Sequence, residues 1–301
     1  MSGDSRVHSS AEPSRTVDTS KAHPARVYDV FLGGKDNYPV DREAAKAALA
    51  ANPRGYLDVR HNRDFMRRAV TELTAKAGLR QFLDIGTGLP TRENVHQIAQ
   101  RIAPDSRVVY ADNDPVVLAH ARALLTTGPQ GRTDYLHADL RDPGAILSGA
   151  ARTLDFGRPV ALVLAAVLHF VEDDEASAAV ARLVGALPSG SALVLSHLTE
   201  DLNPAPIRRV AETFRRRGFS FVLRTRDEIT GFAGAHGLDI VEPGVVPVHR
   251  WRPDHADDTA RAQAEPAYVQ GLEDIDRTKY LSIADATDAD INIYGLVALK
   301  P

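Results

Sequence analysis

The stretch Phe82-Leu83-Asp84-Ile85-Gly86-Thr87-Gly88-Leu89-Pro90-Thr91 decides the fold: an apolar strand ends beside an acid and opens into a glycine-bearing turn ahead of a helix. Glycine is required where the backbone must turn sharply and approach a ligand, because a Cβ would clash there; Gly86 and Gly88 meet that need. Read alone, a Gly-x-Gly also serves plain turns. The next strand settles the matter, since Val108-Val109-Tyr110-Ala111-Asp112-Asn113 again ends in an acid, placed to accept the two hydroxyl protons of a ribose. A third strand ends at His137-Ala138-Asp139-Leu140, where Asp139 either meets the exocyclic amine of an adenine or caps the turn before Asp142-Pro143.

Around this core, strand and helix signals alternate. Strands are expected at 81–85, 107–111, 134–138, 160–168, 191–197, 238–248 and 291–299, with helices at about 92–102, 115–126, 143–151, 174–186 and 206–217. Alternation of this kind implies an α/β protein with a mostly parallel sheet, and the unbroken apolar run from Val160 to Leu168 belongs in its middle. Ahead of the sheet, helices are expected at 41–51, with Asp41 as N-cap, and at 62–77, stopped by Gly78. Residues 1–24 are rich in Ser, Asp, Thr and Pro and poor in aliphatic side chains, which predicts a disordered tail. The organisation is therefore a tail at 1–24, a helical extension and cofactor lid at 25–78, and a cofactor-binding domain at 79–301 that carries an insertion at 254–290.

Composition removes several classes of function. With 36 Lys and Arg against 40 Asp and Glu, the net charge of −4 offers no broad positive field for a nucleic-acid backbone. No apolar run is long enough to span a bilayer and the N-terminus lacks a signal-peptide core, so a cytoplasmic protein without a membrane partner is expected. There is no cysteine, hence no disulfide or thiolate chemistry, and the eleven histidines show no metal-binding spacing.

A dinucleotide dehydrogenase would carry a third glycine where Thr91 stands, and Pro90 stiffens the turn, which argues against NAD. S-adenosylmethionine has no phosphate but bears a sulfonium and an amino-acid head, which gives Asp84 a reason to stand at the loop entrance; an acid bonded to nearby backbone amides is the plainer reading.

The segments RVYDVFLGGKDNYPVDREAA (26–45), NRDFMRRAV (62–70), QFLDIGTGLPT (81–91), VVYADNDPVVLAHARALL (108–125) and WRP (251–253) together resemble the actinobacterial S-adenosyl methyltransferase family, also known as DUF574. The resemblance implies a Rossmann-like class I methyltransferase with a seven-stranded, mostly parallel sheet and an antiparallel last strand. It also implies S-adenosylmethionine as cofactor and methyl transfer to an unidentified, small-molecule acceptor. A protein that binds S-adenosylmethionine or a nucleotide for regulation, without transfer, is the alternative.

Candidate cofactor residues are Tyr28, Gly33, Lys35 and Asn37 in the N-terminal stretch, Arg63 on the following helix, Asp84, Gly86, Thr87 and Gly88 in the glycine turn, and Asp112, Asn113, Asp139 and Leu140 at the next strand ends. Lys35 or Arg63 would pair with the methionine carboxylate, although the LGGKDN stretch also reads as a simple turn between helices. His169 is the candidate general base, against a plainer role bonding backbone. The 254–290 insertion carries ten acids against three bases, and its place after a strand end suggests that it borders the acceptor pocket and favours a cationic acceptor.

Overall fold

Strand β1 (Gln81–Ile85) is buried along its whole length and lies between two parallel neighbours. In the computed structural model, which describes residues 18–90, 93–124, 128–254 and 264–301, those neighbours are β2 (Arg107–Asp112) and β4 (Ala161–Ala165). β3 (Arg132–His137) extends the sheet beyond β2, and β5 (Ala192–Leu198) beyond β4. The C-terminal β8 (Ile293–Leu299) runs antiparallel to β5 and is flanked by two short strands, β6 (Asp239–Ile240) and β7 (Val246–Pro247). The order β3-β2-β1-β4-β5-β8-β6 bears out the mostly parallel sheet and its reversed last strand, with β7 as an eighth, side-paired strand.

Alternate residues of each strand enter different cores, as a pleated strand dictates. Phe82, Tyr110, Val163 and Val194 face helices α1 (Pro24–Phe31), α2 (Pro39–Ala51) and α3 (Gly55–Ala75). Leu83, Val109, Leu162 and Leu193 face α6 (Pro143–Ala150), α7 (Asp173–Gly185) and α9 (Arg226–Gly234) on the opposite side. α4 (Val95–Ile102) packs on α3, α5 (Pro115–Leu124) lies against β2 and β3, and α8 (Pro204–Arg215) packs on α2. Apolar side chains before and after residue 78 thus share one core.

Several boundaries differ from the sequence reading. Asp41 is not the cap of α2: Tyr38 takes that place, Pro39 opens the helix, and Asp41 in its first turn accepts from the Tyr38 N–H at 2.9 Å. α3 begins at Gly55 rather than 62, because Tyr56 and Leu57 already contribute buried surface. The expected 238–248 strand is broken at Pro243-Gly244, where proline lacks an N–H for the ladder and Gly244 turns with φ +86°. β4 stops at Ala165 rather than 168, since Ala166 takes φ +55°. α9 was not anticipated, although Thr225 and Glu228 form the reciprocal cap that marks a helix start. The expected tail falls mostly on residues 1–17, outside the described residues, while Pro24 already begins α1. Among the described residues, no helix is long and apolar enough to cross a membrane.

One contact fixes α3 on the sheet. Phe65 meets the buried Trp251 edge-on at 5.4 Å, and Arg68 beside it donates to the carbonyls of Trp251 and Val248. Gly295 of β8 leaves the space that Phe65 fills; a Cβ there would stand 2.9 Å from its ring. Gly295→Ala is therefore expected to cost about 1–3 kcal/mol by overpacking. Gly185→Ala, whose new methyl meets nothing within 4 Å, should be neutral or stabilising. Denaturant unfolding of the two variants checks the difference.

Candidate functional site

At the carboxyl end of β1 the chain turns through two left-handed glycines, Gly86 (φ +72°) and Gly88 (φ +67°). At Gly86 a Cβ would stand 2.3 Å from Cγ2 of Val167, so only glycine lets this turn lie against the chain leaving β4. At Gly88 a Cβ would project into open space, and its backbone N–H donates to Asp112 Oδ2 at 2.9 Å. Asp112 Oδ1 accepts from the N–H of Asp114 at 2.9 Å, and burial raises the pKa of the Asp112 carboxyl. The ends of β1 and β2 are thus tied through one oriented carboxylate.

These groups wall a cavity of about 350 Å³ at the carboxyl ends of the strands, the place where an open parallel sheet takes a ligand. Asp84 lines it; burial pushes its carboxyl up to about 7, against the opposing pull of the Arg63 guanidinium from α3. On the far side, Asp139 accepts two bonds from the Arg141 guanidinium and one from Asn113 Nδ2, and these hold its carboxyl well below the usual range. Ten of the thirteen expected cofactor residues line the cavity: Tyr28, Arg63, Asp84, Gly86, Thr87, Gly88, Asp112, Asn113, Asp139 and Leu140.

Gly33, Lys35 and Asn37 are not among the lining residues. Their loop wraps the carboxylate of Asp29, which accepts from Asn37 Nδ2 at 2.8 Å and from the Asp36 N–H at 3.2 Å. Gly34 is needed there because a Cβ would collide with that carboxylate at 1.8 Å. Lys35 is exposed, and Gly33 packs against the Lys279 side chain. The LGGKDN stretch sets the exit of α1, whose Tyr28 does reach the cavity. Thr91 lies outside the described residues.

His169 stands in a turn after β4, on the wall of a second, smaller cavity rather than of the first. Burial, and then His197 and Arg224, hold its imidazole neutral to well below the ordinary pKa. The described part of the acidic insertion lines neither cavity. Glu273 and Asp276 pair with Lys46 and Arg42 of α2, Asp290 with Arg54, and Asp288 with Arg250, so the insertion braces the N-terminal helices. Residues 255–263 of the insertion lie outside the described residues.

Sequence reading missed the contribution of residues at the start of α1. His23 and Pro24 line the cavity, and Arg26, 4% exposed, carries this segment. Its Nε lies 3.2 Å from Asp114 and its Nη1 3.7 Å from Asp41, both carboxylates being buried. An arginine amid acids reads as surface in sequence; only the fold buries all three. Met66, Phe170, Phe219 and Ser220 likewise join the wall from separate elements.

A mostly parallel 3-2-1-4-5 sheet with an antiparallel strand beside β5, a glycine turn after β1 and acids at the next strand ends define a class I methyltransferase fold. The model of the S-adenosyl methyltransferase family matches residues 10–300, and the chain belongs to that family, whose cofactor is S-adenosylmethionine. Two solved structures are similar over nearly their whole length. A DUF574 family protein from Streptomyces avermitilis is 45% identical with a TM-score of 0.83, covering 94% of this chain and 99% of its own. A putative methyltransferase from Thermobifida fusca is 36% identical with a TM-score of 0.77, covering 96% of this chain and 98% of its own. No curated protein matches the sequence.

Among the described residues, replacing Arg26 with methionine leaves the buried Asp41 with backbone N–H donors alone and Asp114 with His23 Nδ1, at 3.2 Å, as its remaining side-chain partner. Arg26→Met is expected to cost about 3 kcal/mol or more in an unfolding titration.

Proposed function

We propose that the protein transfers a methyl group from S-adenosylmethionine to a small-molecule acceptor in the cytoplasm. The observation that carries this reading is the 350 Å³ cavity in which two buried carboxylates, Asp84 and Asp112, flank a glycine turn that leaves room for a ligand. The donor set suits the cofactor. The Asp84 carboxylate, with no cation bonded to it among the described residues, fits the methionine ammonium, and Arg63 fits the methionine carboxylate. Asp112 fits the ribose hydroxyls, and Ala138, Asp139 and Leu140 fit the adenine.

The bound cofactor supplies an electrophilic methyl carbon on a cationic sulfur. The residues of this chain have to orient an acceptor along one line with that carbon and keep water out, and no strong nucleophile of the protein is needed. Val167, Phe170, Met66 and Phe219 supply an apolar wall for the purpose. His169, neutral and buried on the neighbouring cavity, serves as a hydrogen-bonding partner for the acceptor rather than as a store of charge. That second cavity favours an enzyme over a protein that only senses the cofactor, since sensing requires no adjoining chamber.

Calorimetric titration with S-adenosylmethionine and its demethylated product is expected to give saturable binding. Asp112→Ala should weaken it by about tenfold or more, since hydrogen bonds to a charged group contribute about 1.5–3 kcal/mol. Absence of binding to the intact chain would overturn the proposal.

Affinity should also rise between pH 6 and pH 8. Asp84 with its pKa near 7 must lose a proton to hold an ammonium, so binding is penalised below that pH and released above it. The step should vanish in Asp84→Asn; an unchanged pH profile in that variant would exclude Asp84 as the titrating group.

A further inference from the structure

A second cavity of about 100 Å³ lies beside the first, enclosed by α1, α2, α3, α8 and the turn after β4. The two share Pro24, Tyr28, Asn62, Ala166 and Phe170, so the second chamber adjoins the first. A chain of hydrogen bonds orders this shared lining. The Ala166 N–H donates to Ser196 Oγ at 3.0 Å, Ser196 Oγ donates to Asn62 Oδ1 at 2.5 Å, Asn62 Nδ2 donates to the Tyr28 hydroxyl at 3.0 Å, and that hydroxyl donates to the Val59 carbonyl at 3.0 Å. Ala166 keeps a left-handed φ of +55° within this chain of bonds, a strained conformation of the sort that persists where the surroundings over-determine it.

Most of the chamber wall is carbon, with Phe31, Phe170, Phe214 and Phe221 supplying ring faces and edges. An apolar cavity of ~150 Å³ takes up benzene, so this smaller one limits its occupant to the body of one ring at most. Two polar groups on the wall are thinly partnered for their burial. His169, 4% exposed, has its Nδ1 buried without a hydrogen bond. Asp58, 6% exposed, accepts from the Asn292 N–H at Oδ1 (2.6 Å), but its Oδ2 has only Asn292 Nδ2 at 3.5 Å, and no cation pairs with it among the described residues. A buried carboxyl on an apolar wall calls for a donor from elsewhere.

We propose that this second cavity is the methyl-acceptor site and that it takes a one-ring, largely apolar molecule whose hydroxyl or amino group donates a hydrogen bond to Asp58. The assignment rests on the methyltransferase reading above. Transfer to such a group forms one bond from its oxygen or nitrogen to the methyl carbon, breaks the carbon–sulfur bond with its electron pair left on sulfur, and releases one proton to the Asp58 carboxylate. Burial pushes Asp58 up to about 7, close to the pH at which a carboxylate can accept such a proton and return it to water.

The test uses the full chain saturated with S-adenosylhomocysteine at pH 8, with phenol, aniline and benzoate as probes in ligand-observed NMR and calorimetry. Phenol or aniline should bind, the better of the two marking an oxygen or a nitrogen acceptor, while benzoate is repelled by Asp58. Val210→Phe, which fills the chamber from α8, should abolish probe binding yet leave S-adenosylhomocysteine affinity within roughly twofold.

Asp58→Asn keeps the side-chain volume and an acceptor for the Asn292 N–H. It should weaken phenol or aniline about tenfold and admit benzoate, a reversal of charge preference that a merely structural residue would not produce. Probe binding unaffected by Val210→Phe, benzoate bound as well as phenol by the unaltered protein, or no probe bound while S-adenosylhomocysteine binds would each overturn the proposal. Loss of S-adenosylhomocysteine binding in the unaltered protein would instead strike at the methyltransferase reading itself.

Discussion

Arg26 sits between Asp41 and Asp114 with all three side chains almost wholly out of water, and the rest of the site is arranged around that triad. A buried guanidinium is tolerable only when its charge is matched; the two carboxylates supply that match, and Nη2 donates to the Lys21 carbonyl at 3.1 Å. Asp41 brings α2 to the triad and also accepts from the backbone N–H of His23 at 2.9 Å. Asp114 brings the end of β2, and its own N–H orients Asp112. One cation therefore connects the helices ahead of the sheet to the carboxylate assigned to the ribose. The segment carrying His23 and Pro24 becomes part of the cofactor wall as a consequence.

A second constraint acts at the middle of the sheet. The chains leaving β1 and β4 must pass close to each other without filling the crevice between them. Gly86 accomplishes this by having no side chain against Val167, and Ala166 by accepting a left-handed backbone that Ser196 and Asn62 hold in place. The same hydrogen-bond chain runs through the lining that the larger cavity shares with the apolar chamber beside it. Two environments of opposite character thereby adjoin, one lined by buried carboxylates and the other mostly by carbon.

The acidic insertion acts at a distance from both cavities. Its carboxylates pair mainly with Arg42, Lys46 and Arg54 on and around α2, and such half-exposed pairs each contribute little on their own. Their collective effect is positional: α2 forms one side of the apolar chamber, and the insertion presses it from outside. Charge that seems in sequence to attract a substrate is used to hold a helix.

Much of the fold was legible in the sequence, since strand length, apolar runs and glycine turns are local signals. β1, α4 and α6 lie within a few residues of their expected bounds, and the acids at the ends of β1, β2 and β3 could be assigned because the carboxyl ends of parallel strands share one crevice. Gly86 and Gly88 declared themselves by a backbone need that no other residue satisfies. The LGGKDN stretch misled because a polar glycine turn reads alike whether it wraps a ligand or, as here, the carboxylate of Asp29. His23, Arg26, Asp58 and Phe170 carried no readable signal, for their roles arise from burial and from neighbours far along the chain. Sequence determined the strands, the turn and the cofactor class, which depend on residues adjacent in the chain; tertiary structure alone decided which charges are buried and which side chains share a cavity, because desolvation exists only once distant elements close around a group.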